Sequence, residues 1–383
     1  MRIAFVEIGD PSDCLYWSGI PFAVLNELRR RGVDVRVIAP LSRQLKYLYS
    51  GQRILYRCLG KSFQPDRQPL MLRWYARQIE RRLQGSGADV VFSMSSIPIA
   101  RLNCAAPIIY WTDAVWAAMI NYYESNSSLA PATERNGNRQ EQCALERAAF
   151  AGYSSEWGVR SAIQHYRIDP QKIKLIPFGA NVEVSDDAES MRSIIGHRER
   201  DVCRLLFLGV DWRRKGGPIA LETVRLLNAA GVPARLTVAG CNPFHGGKPD
   251  FVDDIGFVSK ATESGRRQIT TLLKQSHFLF MPVRAECSAV AFCEACASAL
   301  PIIATDTGGV TTYVRNGVNG LTLPLTAKPD EYAKEIQRLF ADRSTYEELA
   351  FGAFREYETR FNWQSGVGQV LELAKQALGN RKQ

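Results

Sequence analysis

Two glutamates stand eight positions apart in the stretch Arg284–Val310, which reads RAECSAVAFCEACASALPIIATDTGGV. Glu286 falls in a predicted loop behind the apolar run HFLFMPV, and Glu294 falls in the predicted helix that follows. A carboxylate can accept two hydrogen bonds from neighbouring hydroxyls of a sugar or a ribose. Backbone amides at the start of that helix, around Ser288–Val290, can hold a phosphate. The stretch therefore predicts a pocket for a molecule that carries both hydroxyls and phosphates.

The same stretch contains three cysteines, which raises the alternatives of a metal site or a redox site. A structural zinc site needs about four Cys or His ligands. The sequence offers no matching Cys or His pair near Cys287, Cys293 and Cys296. Small thiols that pack a tight helix are the preferred interpretation, and no metal site is expected.

A basic loop follows another apolar run in LLFLGVDWRRKGG. It places Arg213, Arg214 and Lys215 between Gly209 and the pair Gly216–Gly217. Glycines let a backbone approach a ligand closely, and cations can neutralise a diphosphate. The residue order is not that of the GxxxxGK[ST] phosphate loop. Taken alone, the loop is compatible with a diphosphate site or with an exposed basic turn.

Strand-like and helix-like patterns alternate along nearly the whole chain, which positions these loops. The predicted strands are RIAFVEI, VDVRVIAP, ADVVFSM, PIIYWTD, KLIPFG, VCRLLFLGV, ARLTVAG, HFLFMPV and LPIIATD. Amphipathic segments such as IPFAVLNELRRRG and GPIALETVRLLNAAG lie between them. This alternation is typical of parallel sheets with helices on both faces. The fold class is therefore α/β with two Rossmann-like domains, whose ligands bind beyond the carboxyl ends of the strands.

A polar, acidic stretch, NVEVSDDAESMRSIIGHRERD, interrupts the alternation and marks the domain boundary. We predict a first domain over 1–182, a linker or hinge over 183–200 and a second domain over 201–360. The remaining residues, 361–383, are predicted to form a C-terminal helix that returns to the first domain. Two such domains facing each other would form a cleft between the carboxyl ends of their strands.

Composition narrows the class of protein. The chain has 383 residues, of which 46% are apolar and 23% charged, the balance of a soluble protein with sizeable cores. No apolar run reaches the roughly 18 residues that a membrane-spanning helix needs. The N-terminal MRIAFVEIGD lacks the pattern of a secretory signal, and the nine cysteines form no disulfide framework. A cytoplasmic protein is expected, with a peripheral position on the inner face of the membrane as an alternative.

Nearly all of the net charge of +9 resides in the segment 41–84, which has ten basic residues and only two acidic ones. The basic residues are Arg43, Lys46, Arg53, Arg57, Lys61, Arg67, Arg73, Arg77, Arg81 and Arg82. Aromatic and aliphatic residues lie between them, so the segment is suited to an anionic membrane face or a phosphorylated acceptor. The alternative is a solvated helical surface with its aromatics packed inward. Nucleic acid is not expected, because no nucleic-acid module accompanies the charge.

Taken together, the motifs KGG, Glu-x7-Glu, PIIATDTGGV and NGVNGLTLP occur in order and at familiar separations. Over about Leu205–Pro324 they resemble the C-terminal domain of the retaining glycosyltransferases of family 4, which have the GT-B architecture. The first half resembles this family more loosely, through WSGIPFAVLNELRRRGVDVRVI, YSSEW and IPFGANVE. The resemblance implies an acceptor domain in the first half and a nucleotide-sugar donor domain in the second.

The resemblance also implies roles for the matching positions. Glu286 would contact the hydroxyls of the donor sugar, Glu294 the ribose and Lys215 the diphosphate. The second cation would be Arg214 or Arg213, and Arg214 is favoured because it adjoins Lys215. Asp113 falls near where the family places a His or Asp that touches the sugar. The other implied donor-binding positions are Gly19 near the phosphates, Gly209 at the strand end, Gly256, Phe257 and Val258 beside the base, and Ser288, Ala289 and Val290 in the glutamate loop.

The function that the resemblance implies is transfer of a hexose from a UDP-sugar or GDP-sugar to a hydroxyl acceptor, with retention of configuration. No cofactor or metal is expected, and the pathway is expected to be glycoconjugate or polysaccharide biosynthesis. The basic segment in the acceptor domain favours a lipid-linked or otherwise anionic acceptor. Two alternatives stay open: a sugar-nucleotide epimerase or phosphorylase on the same fold, and a non-catalytic protein that binds sugar nucleotides.

Overall fold

The structure, a computed structural model, describes residues 1–182 and 187–380. It consists of two compact units. Unit 1 comprises Met1–Ile176 together with Gly366–Gln383, and unit 2 comprises Pro177–Ser365. The positions 183–186 of the predicted linker and 381–383 of the predicted C-terminal helix lie outside the described residues.

Unit 1 is built on a six-stranded sheet in which every strand pair is parallel. In spatial order the strands run β2-β1-β3-β4-β5-β6. Their bounds are β1 (Arg2–Val6), β2 (Asp34–Ile38), β3 (Val90–Ser93), β4 (Ile108–Thr112), β5 (Ala148–Tyr153) and β6 (Ile173–Leu175). The central strands are buried on both faces, as the continuous apolar runs of the sequence predict.

Seven α-helices of unit 1 connect these strands. They are α1 (Ile20–Arg30), α2 (Ser50–Cys58), α3 (Pro69–Leu83), α4 (Ser96–Ile99), α5 (Trp116–Met119), α6 (Pro131–Arg147) and α7 (Glu156–His165). Short 3-10 turns lie at Tyr16–Gly19, Gln44–Tyr49, Pro65–Arg67, Glu124–Asn126 and Pro170–Lys172. Helix α3 buries the apolar stripe Met71, Leu72, Tyr75, Ala76 and Ile79 against the sheet, which fixes the long connection between β2 and β3.

Arg67 anchors the chain between α2 and α3 from the inside. Its guanidinium lies 3.6 Å from the ring centre of Trp116 and donates a 2.6 Å hydrogen bond to Gln140. The neighbouring Glu141 is also buried and accepts hydrogen bonds from Ser96 and Tyr110. A buried cation must be compensated. Arg67 is therefore a core residue, and only nine of the ten basic residues of the segment 41–84 remain for a surface role.

Unit 2 contains a second parallel sheet of six strands, in the order β12-β11-β10-β7-β8-β9. Their bounds are β7 (Cys203–Leu208), β8 (Ala234–Ala239), β9 (Val252–Gly256), β10 (Phe278–Met281), β11 (Ile302–Asp306) and β12 (Gly320–Pro324). Because the strands are parallel, the loops that follow them emerge at one edge of the sheet.

Among the described residues of unit 2, seven helices flank this sheet: α8 (Ala188–Gly196), α9 (Gly217–Ala229), α10 (Glu263–Gln275), α11 (Val290–Ala297), α12 (Val310–Tyr313), α13 (Pro329–Ala341) and α14 (Arg343–Thr359). Helix α8 differs from the linker predicted at this position. Its Met191 and Ile195 are buried in the core of unit 2, and Asp187 caps its first turn by accepting from the Ser190 amide. The two apolar residues four apart are enough to hold a short helix whose other residues are polar.

The last helix, α15 (Trp363–Gly379), returns the chain to unit 1, where its residues from Gly366 onward belong. Val367, Val370, Leu371, Ala374 and Ala377 are buried along one stripe at helical spacing. The predicted alternation of strands and helices, with two parallel sheets and a returning C-terminal helix, is confirmed. None of the helices among the described residues is both long and apolar enough to cross a membrane.

Candidate functional site

The basic loop after β7 is held in shape by two glycines that tolerate no side chain. Gly216 has a φ of 84°, and a Cβ built on it would lie 1.9 Å from the carbonyl oxygen of Pro282 in the loop after β10. A Cβ on Gly217 would lie 2.1 Å from the ring of Trp212. The Arg284 amide donates to the Arg214 carbonyl at 2.8 Å, which ties the two loops together. The basic loop and the glutamate loop are therefore one assembly at the carboxyl edge of the sheet.

Lys215, Arg214 and Glu286 meet in this assembly. The Lys215 ammonium donates to Oε2 of Glu286, and Arg214 Nη1 lies 3.3 Å from the same oxygen. Arg214 also donates to the Ala285 carbonyl at 2.9 Å and pairs with Asp211 at 3.3 Å. The structure thus brings together the three residues that the sequence places in two separate loops.

Glu286 is charged at neutral pH despite its burial. Burial raises the pKa of this carboxyl, but the Lys215 and Arg214 charges and their hydrogen bonds outweigh it, so the pKa lies below its ordinary value. The backbone carbonyl of Glu286 accepts a 2.9 Å hydrogen bond from Gly309, in the loop after β11. The result is a fixed acceptor of hydrogen bonds with two cations beside it.

Glu294 lies in the first turns of α11 and is completely buried. Its Oε1 accepts a hydrogen bond from Lys260, whereas its Oε2 is buried with no hydrogen-bond partner among the described residues. A buried carboxylate oxygen without a donor costs free energy unless a ligand supplies one. Glu294 is therefore poised to accept a hydroxyl of a bound molecule.

The loop between Glu286 and α11 offers further polar atoms. The hydroxyl oxygen of Ser288 is buried and has no hydrogen-bond partner in the described part of the chain. Ala289 precedes the first residue of α11, Val290, and both are buried. The Ser288 hydroxyl and the first amides of the helix can serve an anion in the way expected from the sequence.

The other predicted positions of unit 2 lie around this assembly. Gly209 follows β7, and a Cβ there would lie 3.1 Å from the Lys215 side chain. Gly256 ends β9 with a φ of 71°, Phe257 is 65% exposed, and Val258 is half-buried against the core. Arg213 is exposed, and its side chain makes no hydrogen bond or ion pair with the described residues. Of the two candidate cations, Arg214 is the one that contacts Glu286.

Gly19 and Asp113 lie in unit 1, at the carboxyl edge of its own sheet. Gly19 caps α1 with a φ of 77°, and the preceding Trp17 and Ser18 also have left-handed φ values of 46° and 55°. Ser18 thus adopts a conformation that favours glycine. Asp113 follows β4, and its carboxylate lies 3.4 Å from the Thr112 hydroxyl. These two residues belong to a different unit from the glutamate loop.

Three residues of the site regions were missed by the sequence analysis. Lys260, which pairs with Glu294, and Asp211, which pairs with Arg214, both lie shortly after the end of a strand. The only signal for them in the sequence is a charged residue within a few positions of a glycine. Glu7 follows β1 and is fully buried; it accepts from the Ile8 amide at 2.7 Å and from Tyr16 at 3.3 Å. Its position inside the apolar run RIAFVEI hid it as part of a strand. No cluster of three His, Cys, Asp or Glu with the geometry of a metal site occurs among the described residues.

Two family models match successive parts of the chain. One, described as glycosyltransferase family 4, matches residues 22–184, and the other, described as glycosyl transferases group 1, matches residues 203–342. The chain belongs to the family 4 glycosyltransferases. This family 4 glycosyltransferase is 27% identical over 237 residues to D-inositol 3-phosphate glycosyltransferase of Streptomyces bingchenggensis (strain BCW-1), covering 56% of this chain. The match spans only about half, 50%, of the length of that relative.

Comparison with solved structures shows that the chain has the GT-B fold. Sucrose-phosphate synthase from Thermosynechococcus elongatus superposes with a TM-score of 0.71 at 16% identity, over 99% of both chains. Anabaena HepE, solved in complex with UDP and glucose, superposes with a TM-score of 0.63 at 17% identity, over 98% of this chain and 100% of its own. At such identities the likeness establishes the fold of this family 4 glycosyltransferase. It leaves the substrates to be argued from the site.

Proposed function

We propose that this glycosyltransferase moves a hexose from a nucleoside diphosphate to a hydroxyl of an acceptor, with retained anomeric configuration. The observation that carries the proposal is the cluster of Lys215, Arg214 and Glu286 at the carboxyl edge of the sheet of unit 2. It combines an ionised acceptor for sugar hydroxyls with two cations for a diphosphate. Such a combination suits a sugar nucleotide better than a simple sugar or a free phosphate.

The proposed reaction needs no nucleophile from the protein. The acceptor oxygen forms a bond to the anomeric carbon on the face from which the diphosphate departs, while the bond from that carbon to the diphosphate oxygen breaks. The proton of the acceptor hydroxyl passes to the departing phosphate. Lys215 and Arg214 stabilise the charge that develops on the diphosphate, and Glu286 orients the sugar hydroxyls. Since Lys215 and Arg214 supply the positive charge that a metal ion would otherwise bring to the diphosphate, we propose that the reaction is independent of a metal.

The nucleotide is proposed to lie along α11, with a ribose hydroxyl on the unpartnered Oε2 of Glu294. Exposed Phe257 and the backbone at Gly256–Val258 are proposed to face the base. A UDP-sugar is favoured over a GDP-sugar by the likeness to HepE, whose structure contains UDP and glucose. Gly19 and Asp113 of unit 1 are proposed to contact the phosphates and the sugar.

The acceptor is proposed to be a lipid-linked or otherwise anionic glycoconjugate, which the basic surface of unit 1 would attract. This assigns the enzyme to glycoconjugate or polysaccharide biosynthesis in the cytoplasm, with peripheral contact to the inner face of the membrane. The similarity to a transferase named for inositol 3-phosphate, an anionic molecule, supports an anionic acceptor.

A thermal-shift screen tests the donor half of the proposal. UDP, GDP, UDP-glucose and GDP-mannose are added to the intact chain, with inorganic diphosphate as the control. A ligand at about 100 times its dissociation constant stabilises the native state by roughly 2.7 kcal/mol. We expect one nucleoside diphosphate and its sugars to raise the midpoint well above diphosphate alone. Equal shifts for all nucleotides and for diphosphate would contradict a nucleotide-sugar site.

A further inference from the structure

Large apolar side chains are exposed together on one short segment of unit 1. Of the thirteen such side chains exposed in the described part of the chain, five lie within 47–59. They are Tyr47, Leu48, Ile54, Leu55 and Leu59, with 58% to 70% of their surface exposed. We call these five residues the α2 surface. Helix α2 itself contains no buried residue, which is unusual for a helix of a folded domain.

The α2 surface is held outward by aromatic contacts on the opposite side of the helix. Tyr56 stacks on Phe63, with ring centres 5.5 Å apart and planes 3° apart, and Tyr49 lies 5.8 Å from the same ring. At about 100° per residue, Ile54, Leu55 and Cys58 fall on one arc of α2 and Tyr56 falls on another. The helix is therefore attached through its aromatic side and presents its aliphatic side to solvent.

Cations dominate the charges around this surface, and one of them, Arg43, pairs with Asp66 at 3.6 Å. Residues 41–61 contain five basic residues and no acidic one: Arg43, Lys46, Arg53, Arg57 and Lys61. Arg53 and Arg57 stand four apart and so flank the aliphatic arc along one side. Lys46 lies 5.4 Å from the ring centre of the exposed Tyr47. Aliphatic side chains bordered by cations complement a bilayer, whose anionic head groups surround an apolar interior.

Helix α3 has four cations but no such arrangement. Arg73, Arg77, Arg81 and Arg82 are exposed, but most apolar residues of α3 are buried in the core of unit 1, and Leu70 in its first turn is the only large apolar residue of the helix that is exposed. Its outer face is therefore a solvated charged surface, the alternative that the sequence left open. The structure separates the basic segment into an inward-packed half and a half with exposed apolar residues.

From this arrangement we infer that unit 1 binds anionic lipid bilayers through the α2 surface, with the aliphatic side chains inserted at head-group level. A second copy of the chain is a poorer occupant, because a two-fold contact through this surface would bring like charges together. An uncharged micelle supplies no partner for Lys46, Arg53, Arg57 and Lys61, which form no ion pair with the described residues. Phosphatidylglycerol is the lipid class taken as the probe, because it supplies the negative charge without a specific head-group site.

The inference rests on the proposed function in one respect: a bound bilayer gives the enzyme access to a lipid-linked acceptor. The binding itself depends only on the exposed apolar residues and the cations around them. Donor binding in unit 2 therefore gives an independent readout, and either proposal can fail while the other stands.

Vesicle co-sedimentation of the full chain tests the surface. Vesicles of phosphatidylcholine with one third phosphatidylglycerol are compared with pure phosphatidylcholine, at low and at high salt. The apolar variant combines L48S, I54S and L55S, the charge variant combines R53E and R57E, and the control combines R73E and R77E on α3. We expect each α2 variant to bind at least tenfold more weakly. The charge variant loses two cations, each of which contributes roughly fivefold in affinity near an anionic surface, and the apolar variant loses three side chains that would insert into the bilayer. For the α3 control, we expect the logarithm of the vesicle affinity to fall by less than half as much as in the α2 variants.

A fluorescent probe on Cys58 reports insertion directly. All nine cysteines lie in the described part of the chain, and Cys58 is the only exposed one; it lies on the same arc as Ile54 and Leu55. An environment-sensitive thiol label on Cys58 is expected to shift to the blue with the mixed vesicles. The C58S variant, labelled in the same way, is the control for the half-buried thiols and is expected to show no shift.

Several outcomes would overturn the inference. They are absence of binding to the mixed vesicles at low salt, binding that survives both α2 variants, and loss of binding in the α3 control alone. A concentration-dependent dimer that dissociates in the apolar variant, without any vesicle binding, would assign the surface to a second copy instead. Nucleotide-induced thermal shifts unchanged in all variants confirm that each protein is folded and that the donor site is intact.

Discussion

At the scale of single residues, Lys215 pairs with the Glu286 carboxylate in the structure and is proposed to neutralise a diphosphate during turnover. Lys215→Met keeps the aliphatic stem and removes only the charge. We expect kcat/KM to fall roughly ten- to hundredfold, because a charge-assisted contact contributes about 1.5–3 kcal/mol. The matched control is Arg213→Met, since Arg213 lies in the same loop and is exposed without side-chain partners among the described residues. Equal activity of the two variants would place the diphosphate elsewhere.

Glu294 is the residue for which binding and catalysis can be separated. Glu294→Gln preserves shape but replaces one carboxylate oxygen by a donor, which cannot accept a ribose hydroxyl in the same way. We expect calorimetry to show at least tenfold weaker binding of the free nucleoside diphosphate. Glu222→Gln, at an exposed ion pair on α9, is the control and should bind as the parent does. Unchanged affinity in the Glu294 variant would refute the ribose contact.

Independence from a metal is also a prediction about single residues, because Lys215 and Arg214 are proposed to supply the positive charge that stabilises the departing diphosphate. We expect full activity in the presence of excess chelator, measured as release of free nucleoside diphosphate from the sugar nucleotide. Activity that disappears with the chelator and returns with magnesium or manganese would contradict the proposed role of Lys215 and Arg214.

At the scale of elements, helix α9 has a left-handed glycine at each end. Gly216 precedes it with a φ of 84°, and Gly231 follows it with a φ of 77° and open space around its Cα. Gly231→Ala should cost about 1 kcal/mol, the strain of the backbone alone. Gly216→Ala should cost roughly 3 kcal/mol or more, because its Cβ would also collide with the Pro282 carbonyl. Denaturant unfolding measures the loss of stability in each variant. Equal losses would show that the loop after β7 and the loop after β10 move apart at little cost.

Strands made of continuous apolar residues were predictable from the sequence, whereas two edge strands of the second sheet and one interior strand of the first were not. Strands β1, β7 and β10 are continuous apolar runs, so their position and the parallel sheet follow from composition alone. Strands β9 and β12 were missed because they are sheet edges with half-exposed residues such as Asp253 and Thr322. Strand β5, an interior strand, consists of small residues (AAFAGY) that carry little β signal.

The placement of the proposed donor-binding residues was predictable, but their contacts were not. The order of strand, loop and helix places Lys215, Glu286 and Glu294 at one edge of a sheet. That both cations share one oxygen of Glu286, and that Lys260 reaches Glu294, depends on side-chain directions within loops. Burial of the α3 aromatics and exposure of the α2 aliphatics likewise depend on packing between segments, which local sequence does not encode.

At the scale of the whole molecule, the two units contain buried groups with opposite responses to acid. In unit 1, burial raises the pKa of Glu7 to about 7, against the lowering effect of the Ile8 amide and Tyr16. Its contribution to stability is complete below the ordinary value of 4.5 and is lost as pH rises through 7. In unit 2, burial lowers the pKa of His277 to about 4, so its contribution is present above 6.5 and lost as pH falls through 4. Mild acid therefore favours unit 1 and disfavours unit 2.

Glu7→Gln tests this asymmetry. The amide oxygen can accept the same two hydrogen bonds without a buried charge, so the variant should resist unfolding better than the parent at pH 8, by on the order of 3 kcal/mol at most. At pH 4.5 the two should differ little, since the parent carboxyl is then protonated. Thermal unfolding across this pH range measures the effect, with the exposed Glu134→Gln as the control. A pH-independent difference would show that Glu7 stays charged throughout.

The return of α15 to unit 1 has a consequence for how the chain is made and how it has diversified. Unit 2 is an insertion whose two ends adjoin, since the Ala180 amide donates to the Phe361 carbonyl at 2.9 Å. During synthesis on the ribosome, unit 1 must wait for its last helix until the whole of unit 2 has emerged. Adjoining ends also let such a module be replaced by another without displacing the flanking chain, which would change the proposed donor site while leaving the proposed acceptor half intact. We expect residues 177–365 expressed alone to fold and bind nucleotide; an unfolded product would show that the module depends on its host.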